Sequence, residues 1–379
     1  MTREEVNNLA LSKIDKTRYL ILELITGYGK TKVAIDLINH ICDRVFRNDE
    51  CPTTILILVA KTVHKQTWKD EIEKWGGIKS DYITIECYES LKNYDNSYFD
   101  VVVADEMQHL SEARLEVLES IRVNEAFIGL SATIKRDMRD YFIHNHKAEV
   151  IKCGLKEAVE DEVLSEPMVY LLPLSLDVKN YTYKIKRFGH DVITTQKGYY
   201  DIISSLIEWY KNKYFNSRNE RMKNLWLSTA GKRLKWCAEQ KESLVLSLLS
   251  KFKNYKTLTF CSSIEQSERL GKYNITSKNR ASVKNLEMFN SNKIKHITAC
   301  NILNEGVNLT NCRIGIFCNL NSSEIVVKQR VGRTLRHKSP IIIIPYFKDT
   351  REEELVEKMI EEYSEDSILS IENINDIKI

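Results

Sequence analysis

Two short stretches of this chain carry side chains able to work on a polyphosphate. In Thr26-Gly27-Tyr28-Gly29-Lys30-Thr31 the two glycines let the backbone bend so that successive N–H groups point at phosphate oxygens, and a helix starting there adds its positive dipole end. Thr26, Gly27, Tyr28 and Gly29 form the cradle, Lys30 reaches the terminal phosphates and Thr31 ligates Mg²⁺. The second stretch is Asp105-Glu106. An acidic pair suits hydrolysis of a nucleoside triphosphate: Asp105 holds Mg²⁺, and Glu106 orients and deprotonates the attacking water. The plain alternatives are a glycine turn between two core elements and carboxylates favouring a helix dipole. The two stretches together outweigh both.

The elements needed to position these groups are legible nearby. Residues 19–24 read as a short buried strand, and Lys32 to Cys42 carry apolar residues at helical spacing, so the loop sits between strand and helix. Phe99 to Ala104 is an apolar, β-branched run that delivers Asp105 and Glu106 at its carboxyl end, where open parallel sheets bind ligands. Further strands are expected near Ile55–Val59, Tyr82–Ile85 and Phe127–Leu130, alternating with helices as a doubly wound α/β sheet demands.

The ordered set of motifs resembles the superfamily 2 helicases and translocases. TGYGKT is similar to motif I, Asp105 to Gln108 to the DExH box of motif II, Gly129 to Thr133 to motif III, Thr257 to Ser263 to motif IV, Asn304 to Leu309 to motif V, and Gln329 to Arg336 to motif VI. Val59 to Trp75 resembles the motif Ia region of restriction-enzyme motor subunits, XPB-like repair helicases and phage recombination helicases. The resemblance implies two tandem RecA-like lobes: residues 1–150 with motifs I to III, and residues 151–379 with motifs IV to VI. It implies ATP and Mg²⁺ as ligands. Arg333 and Arg336 look like arginine fingers and Gln329 like a nucleotide-sensing partner. Gly306, within Asn304 to Asn308, would face phosphate and nucleic acid, while Gln108, Ser131 and Thr133 would couple nucleotide state to motion. The chain departs from the family pattern at Leu24, where a first glycine is usual, at Gln108, where His is usual, and at Asn308, where many relatives carry Asp. No adenine-specifying Gln precedes the loop.

Composition is that of a soluble globular chain: 379 residues, 43% hydrophobic and 29% charged, net +3. No signal-like or membrane-length apolar stretch is evident, which points to the cytoplasm, and the Lys, Asn and Ile richness would fit a phage or another AT-rich genome. Nine cysteines without a CxxC pair read as buried thiols, not as a zinc site. Charge concentrates at 179–241, with 14 Lys or Arg against 5 Asp or Glu, and 11 of the 34 aromatics fall there. This segment reads as a mainly helical insert in the second lobe. Most of its aromatics are expected in a small core, with a basic face (Lys184, Lys186, Arg187, Arg218, Arg221, Lys232, Arg233 and Lys235) following a nucleic-acid backbone. The function expected is an ATP-dependent helicase or translocase, acting on DNA and monomeric. The alternatives are an NTP-dependent switch or scaffold on nucleic acid, and the motor subunit of a restriction or recombination complex whose partner supplies any nuclease.

Overall fold

The computed structural model describes residues 1–49, 53–187, 190–300, 309–320, 337–361 and 363–379, which divide after Glu166 into two units. The first contains α1 (Arg3–Ile14), β1 (Tyr19–Leu24), α2 (Lys30–Asp49), β2 (Ile55–Val59), α3 (Thr62–Lys74), β3 (Ile83–Cys87), β4 (Tyr98–Asp105), α4 (Glu112–Ser120), β5 (Arg122–Ser131), α5 (Arg136–His146), β6 (Glu149–Cys153) and α6 (Leu155–Glu160). Its strands form one sheet in the order β3-β2-β4-β5-β1-β6, with every neighbour parallel. Helices cover both faces, so the inner strands have no solvent side, and all five residues of β2 are buried.

Two strand ends prepare the site. Leu24 closes β1 just before the glycine loop, and Asp105 closes β4. Between them runs β5, where Gly129 makes room for Met107: a Cβ there would meet the Met107 sulfur at 2.6 Å and displace it. Buried Met107 thereby holds the turn after Asp105 against the sheet.

In the second unit, β7 (Met168–Leu174) is followed by a ribbon of β8 (Tyr183–Arg187) and β9 (His190–Thr194), then by α7 (Gln196–Ser217), α8 (Glu220–Gln240) and α9 (Glu242–Lys251). The motif-bearing part follows: β10 (Thr257–Phe260), α10 (Ile264–Leu270), β11 (Asn274–Ile275), α11 (Ser282–Asn290), β12 (His296–Ala299), β13 (Ile314–Phe317), β14 (Ile341–Phe347), α12 (Arg351–Ile360) and β15 (Ile368–Ser370). The sheet order is β11-β12-β10-β13-β14-β7-β15, again parallel throughout. The acidic, amphipathic segment after Asp349 forms α12, which buries Leu355, Val356 and Met359.

Two features differ from the sequence reading. In sequence Val150 to Tyr170 reads as the linker and the first strand of the second lobe; that strand is β7, which begins at Met168, but Glu149–Cys153 pairs with β1 as an edge strand of the first sheet. A five-residue edge strand has too few alternations to announce itself, and only its partner gives it a place. The insert is also less uniform than expected. Its first part is the antiparallel β8–β9 ribbon, and its aromatics divide: Tyr183, Tyr199, Tyr200 and Trp236 pack in a small core with Leu176 and Phe347, whereas Tyr181, Trp209 and Phe215 are exposed.

A buried ion pair fixes the root of that insert. Lys241, at the joint between α8 and α9, is fully buried; its Nζ donates to Glu352 Oε1 at 2.6 Å and to the Pro345 carbonyl at 3.1 Å. The other oxygen of Glu352 accepts the Phe347 N–H at 3.1 Å. The pair is therefore hydrogen-bonded on both sides, as burial of two charges requires.

Candidate nucleotide site

The loop between β1 and α2 has the backbone of a phosphate cradle. Gly27 and Gly29 both have positive φ, 95° and 106°, a region where a Cβ is strained. Lys30 opens α2, so the N-terminal dipole end of a 20-residue helix meets the loop. The Lys30 ammonium donates to the Leu24 carbonyl at 2.9 Å, which holds it across the loop mouth. Thr31 follows on the first turn. Thr26 is buried, and its hydroxyl has no hydrogen-bond partner among the described residues; a buried orphan hydroxyl in a cradle of N–H groups fits a polar, anionic ligand.

The loop is stapled to the start of the chain. Tyr28, 1% exposed, has its hydroxyl 2.6 Å from the Met1 carbonyl and 3.0 Å from that of Thr2. Arg3 returns the contact, donating to the carbonyls of Tyr28 at 3.0 Å and Gly27 at 3.2 Å. Burial pushes the Tyr28 hydroxyl well above its ordinary value, so it remains a donor. Neither the helix α1 nor Arg3 was legible as part of the site, because both act through contacts across some 25 residues of chain.

Asp105 and Glu106 stand at the end of β4, facing the same cleft. Asp105 keeps part of its surface open, yet its carboxyl is surrounded by protein: burial first, then the charge of Glu106, push it up to about 6, against the opposing Trp68 hydrogen bond and the charge of Lys30. Trp68, on α3 and 1% exposed, donates its indole N–H to Asp105 Oδ2 at 2.9 Å, and the Tyr88 hydroxyl donates to the Asp105 carbonyl at 2.9 Å. Glu106 is left-handed, φ 52° and ψ 55°, a conformation that costs a non-glycine residue about 1 kcal/mol. It turns the chain out of β4 into the short 3₁₀ segment Met107–His109.

Gln108, Ser131 and Thr133 are brought together with Glu106. Gln108 Nε2 donates to Glu106 Oε2 at 2.7 Å, and Ser131 Oγ lies 2.7 Å from both Gln108 Oε1 and the Thr133 carbonyl. Ser131 has one hydroxyl proton for two acceptors, so the Gln108 amide oxygen and the Thr133 carbonyl compete for it. Glutamine at position 108 is thus a working member of the network, using both ends of its amide.

A cleft of about 530 Å³ joins these groups, lined by Thr26–Lys32, Asp105 and Glu106, by Arg3, Glu4 and Asn7 of α1, and by Trp68, Glu71, Lys74 and Trp75 of the α3 segment. The donor set suits Mg²⁺, which takes one or two carboxylates and completes its shell with water and substrate phosphates. Thr31 and Asp105 are the groups that would hold it.

Gly306 and the rest of Asn304–Asn308, with Gln329, Arg333 and Arg336, lie outside the described residues, as does the side chain of Arg187. Of the basic candidates, Lys184 and Lys186 are exposed on the β8 ribbon, and Arg218, Arg221 and Lys232 are exposed on the α7–α8 hairpin. Arg233 turns inward, donating to Ser204 at 2.8 Å and lying over the Tyr200 ring. Lys235 is engaged by Glu265 at 3.5 Å. Arg233 is committed to the fold of the insert, whereas the Lys235 pair is a surface one.

Known proteins share this arrangement. Residues 2–136 match the family model "Type III restriction enzyme, res subunit", and residues 240–338 match "Helicase conserved C-terminal domain". The chain is 21% identical over 368 residues to the DNA 3'-5' translocase XPB2 of Sulfurisphaera tokodaii, a match covering 84% of this chain and 75% of that one. Its fold is similar to a putative HsdR subunit fragment of a type I restriction enzyme from Vibrio vulnificus (TM-score 0.61, 19% identity, 96% of this chain and 67% of that one) and to the Pyrococcus furiosus Hef helicase domain (0.51, 13%, 93% and 97%). Tandem RecA-like units, the family models over residues 2–136 and 240–338 and the motif order lead to one conclusion: this chain belongs to the superfamily 2 helicases.

Proposed function

We propose that the protein hydrolyses ATP in the cleft of its first unit and uses the cycle to move along, or remodel, nucleic acid, with DNA as the substrate. The observation that carries the reading is the convergence of the positive-φ glycine loop at the head of α2 and the Asp105–Glu106 pair at the end of β4 on one cleft.

Loop amides and Lys30 bind the β- and γ-phosphates, Lys30 exchanging its bond to the Leu24 carbonyl for one to a phosphate oxygen. Mg²⁺ held by Thr31 and Asp105 would neutralise charge on the phosphates. Trp68 fixes the carboxylate rotamer of Asp105. Glu106 takes the proton of the attacking water at a carboxylate oxygen, and Gln108 orients that carboxylate through its amide N–H. Ser131 of motif III then receives the state of Glu106 through Gln108, because its single proton serves either Gln108 or Thr133. The roles of Gln329, Arg333, Arg336 and Gly306 in this reading rest on their motifs.

The test is ATP turnover with and without single-stranded DNA, duplex DNA and RNA, in parent and Lys30→Ala proteins. Turnover stimulated by DNA and lost in the variant is expected; equal turnover in the two proteins sinks the proposal. The restriction-subunit model over 2–136 supports a second reading, a motor within a larger complex, whose mark would be turnover that appears only with a partner protein.

A further inference from the structure

The hairpin formed by α7 and α8 has an outer half with no evident structural task. Buried positions stop at Ile207 on the way out and resume at Trp236 on the way back, so residues 208–235 include no buried side chain. A hairpin needing only to hold itself together would place its apolar residues between its helices and polar ones outside. Here Trp209 is 51% exposed and Phe215 49%. Phe215 lies beside Trp226 and Tyr214, with ring centroids 6.0 and 5.4 Å away, and Trp209 beside Tyr210 at 5.2 Å.

Cations frame these rings. Residues 208–235 hold eight Lys or Arg against two Glu, a net of +6. Lys213 lies 5.8 Å over the Trp209 ring, and Arg218, left-handed at the turn, lies 5.6 Å from the Phe215 ring. No carboxylate pairs with Lys213, Arg218, Arg221 or Lys232 among the described residues. Open aromatic faces beside uncompensated cations match one ligand chemistry: flat, unsaturated rings joined by phosphates.

We propose that the outer half of the α7–α8 hairpin is a stacking platform for unpaired nucleobases, with Trp209 and Phe215 as the faces and Arg218 and Lys213 on the adjoining phosphates. It rests on the nucleic-acid motor reading and narrows it to substrates that offer open base faces, single strands and forks, over uninterrupted duplex. The hairpin reads no sequence, because every base has a π-face.

The experiment is equilibrium binding of the full chain to a single-stranded DNA, a forked DNA and a closed circular duplex, which has no open base face, across a salt series. The double variant Trp209→Ala/Phe215→Ala is expected to weaken single-strand and fork binding about 10- to 100-fold, with its salt dependence and its affinity for the circle unchanged. Trp209→Tyr, which keeps a flat face, retains most of the affinity. Lys213→Gln/Arg218→Gln should weaken all three ligands and lower the salt slope by about two. The platform is overturned if the double alanine variant binds the fork as the parent does, the result expected of a protein-docking surface, or if it loses circle and fork alike. A parent without DNA-stimulated turnover would remove the motor reading itself, a failure visible before any hairpin variant is made.

Discussion

The nucleotide cleft and the α7–α8 hairpin use opposite physical strategies. In the cleft almost every polar group is already held by the protein: Asp105 by Trp68, Glu106 by Gln108, Gln108 by Ser131 and Lys30 by a loop carbonyl. On the outer half of the hairpin Trp209 and Phe215 are exposed and Lys213, Arg218, Arg221 and Lys232 have no carboxylate partner among the described residues, while the root is held by the Lys241–Glu352 pair and the small core around Tyr200 and Trp236. The contrast teaches that a site for a small ligand is preorganised by neighbours, whereas a surface for a long polymer can be left open because the polymer supplies the order.

Breaking the anchor gives the largest expected effect. Lys241→Met leaves Glu352 buried and unpaired and should lower unfolding free energy by about 3–5 kcal/mol, measured by urea denaturation. Adding Glu352→Leu should recover most of that loss, since two apolar residues of similar volume need no partner. If the double variant is no better than the single one, the charge pairing is not what holds the root.

Trp68→Phe keeps the buried ring and removes the donor to Asp105. A hydrogen bond to a charged group contributes about 1.5–3 kcal/mol, so kcat should fall about 10- to 100-fold while thermal stability changes little. An unchanged kcat would mean that Asp105 is positioned by its backbone alone. Ser131→Ala is expected to act more selectively: nucleotide-alone turnover changes only a few-fold, but stimulation by DNA is reduced, because the hydroxyl that joins Gln108 to the Thr133 carbonyl is lost. Equal loss in both assays would make Ser131 a structural residue only.

The smallest effect concerns pH. Burial raises the Asp100 carboxyl, but hydrogen bonds from Tyr98, the Thr54 N–H and hydroxyl, and Asn124 outweigh it and hold it below its ordinary value. A depressed carboxylate stabilises the fold above its unfolded pKa, and that contribution is lost as pH falls through the lower folded value. Asp100→Asn should therefore lower stability by about 1 kcal/mol near neutrality and flatten the decline below about pH 4. A variant with the parent's acid profile would assign that decline to other carboxylates.

Much of the first unit was legible from residue order. Strand–loop–helix around Gly27 and Gly29, and the apolar run delivering Asp105, depend on contacts within a dozen residues, and local pattern reports such contacts well. Within Val150 to Tyr170, which reads as linker and first strand of the second lobe, the β6 residues are not recognisable as a strand of the first sheet, because their identity comes from pairing with β1, more than a hundred residues earlier. The inner side of the insert was read correctly in kind, since Tyr200 and Trp236 are core. Composition could not tell those rings from Trp209 and Phe215, because the same residue types serve both ends of one hairpin.

Sequence alone therefore determined the chemistry on offer: a glycine-bent phosphate loop, a carboxylate pair at a strand end, and a basic, aromatic insert. Those properties reside in residue type and short spacing. Tertiary structure decided which partners tune them: Arg3 and Tyr28 lock the loop, Trp68 and burial set the state of Asp105, Gln108 joins Glu106 to Ser131, and Arg233 turns inward to Ser204 while Lys235 stays at the surface beside Glu265. Each of these depends on distance through space, dielectric surroundings and exposure, which exist only once distant segments have packed.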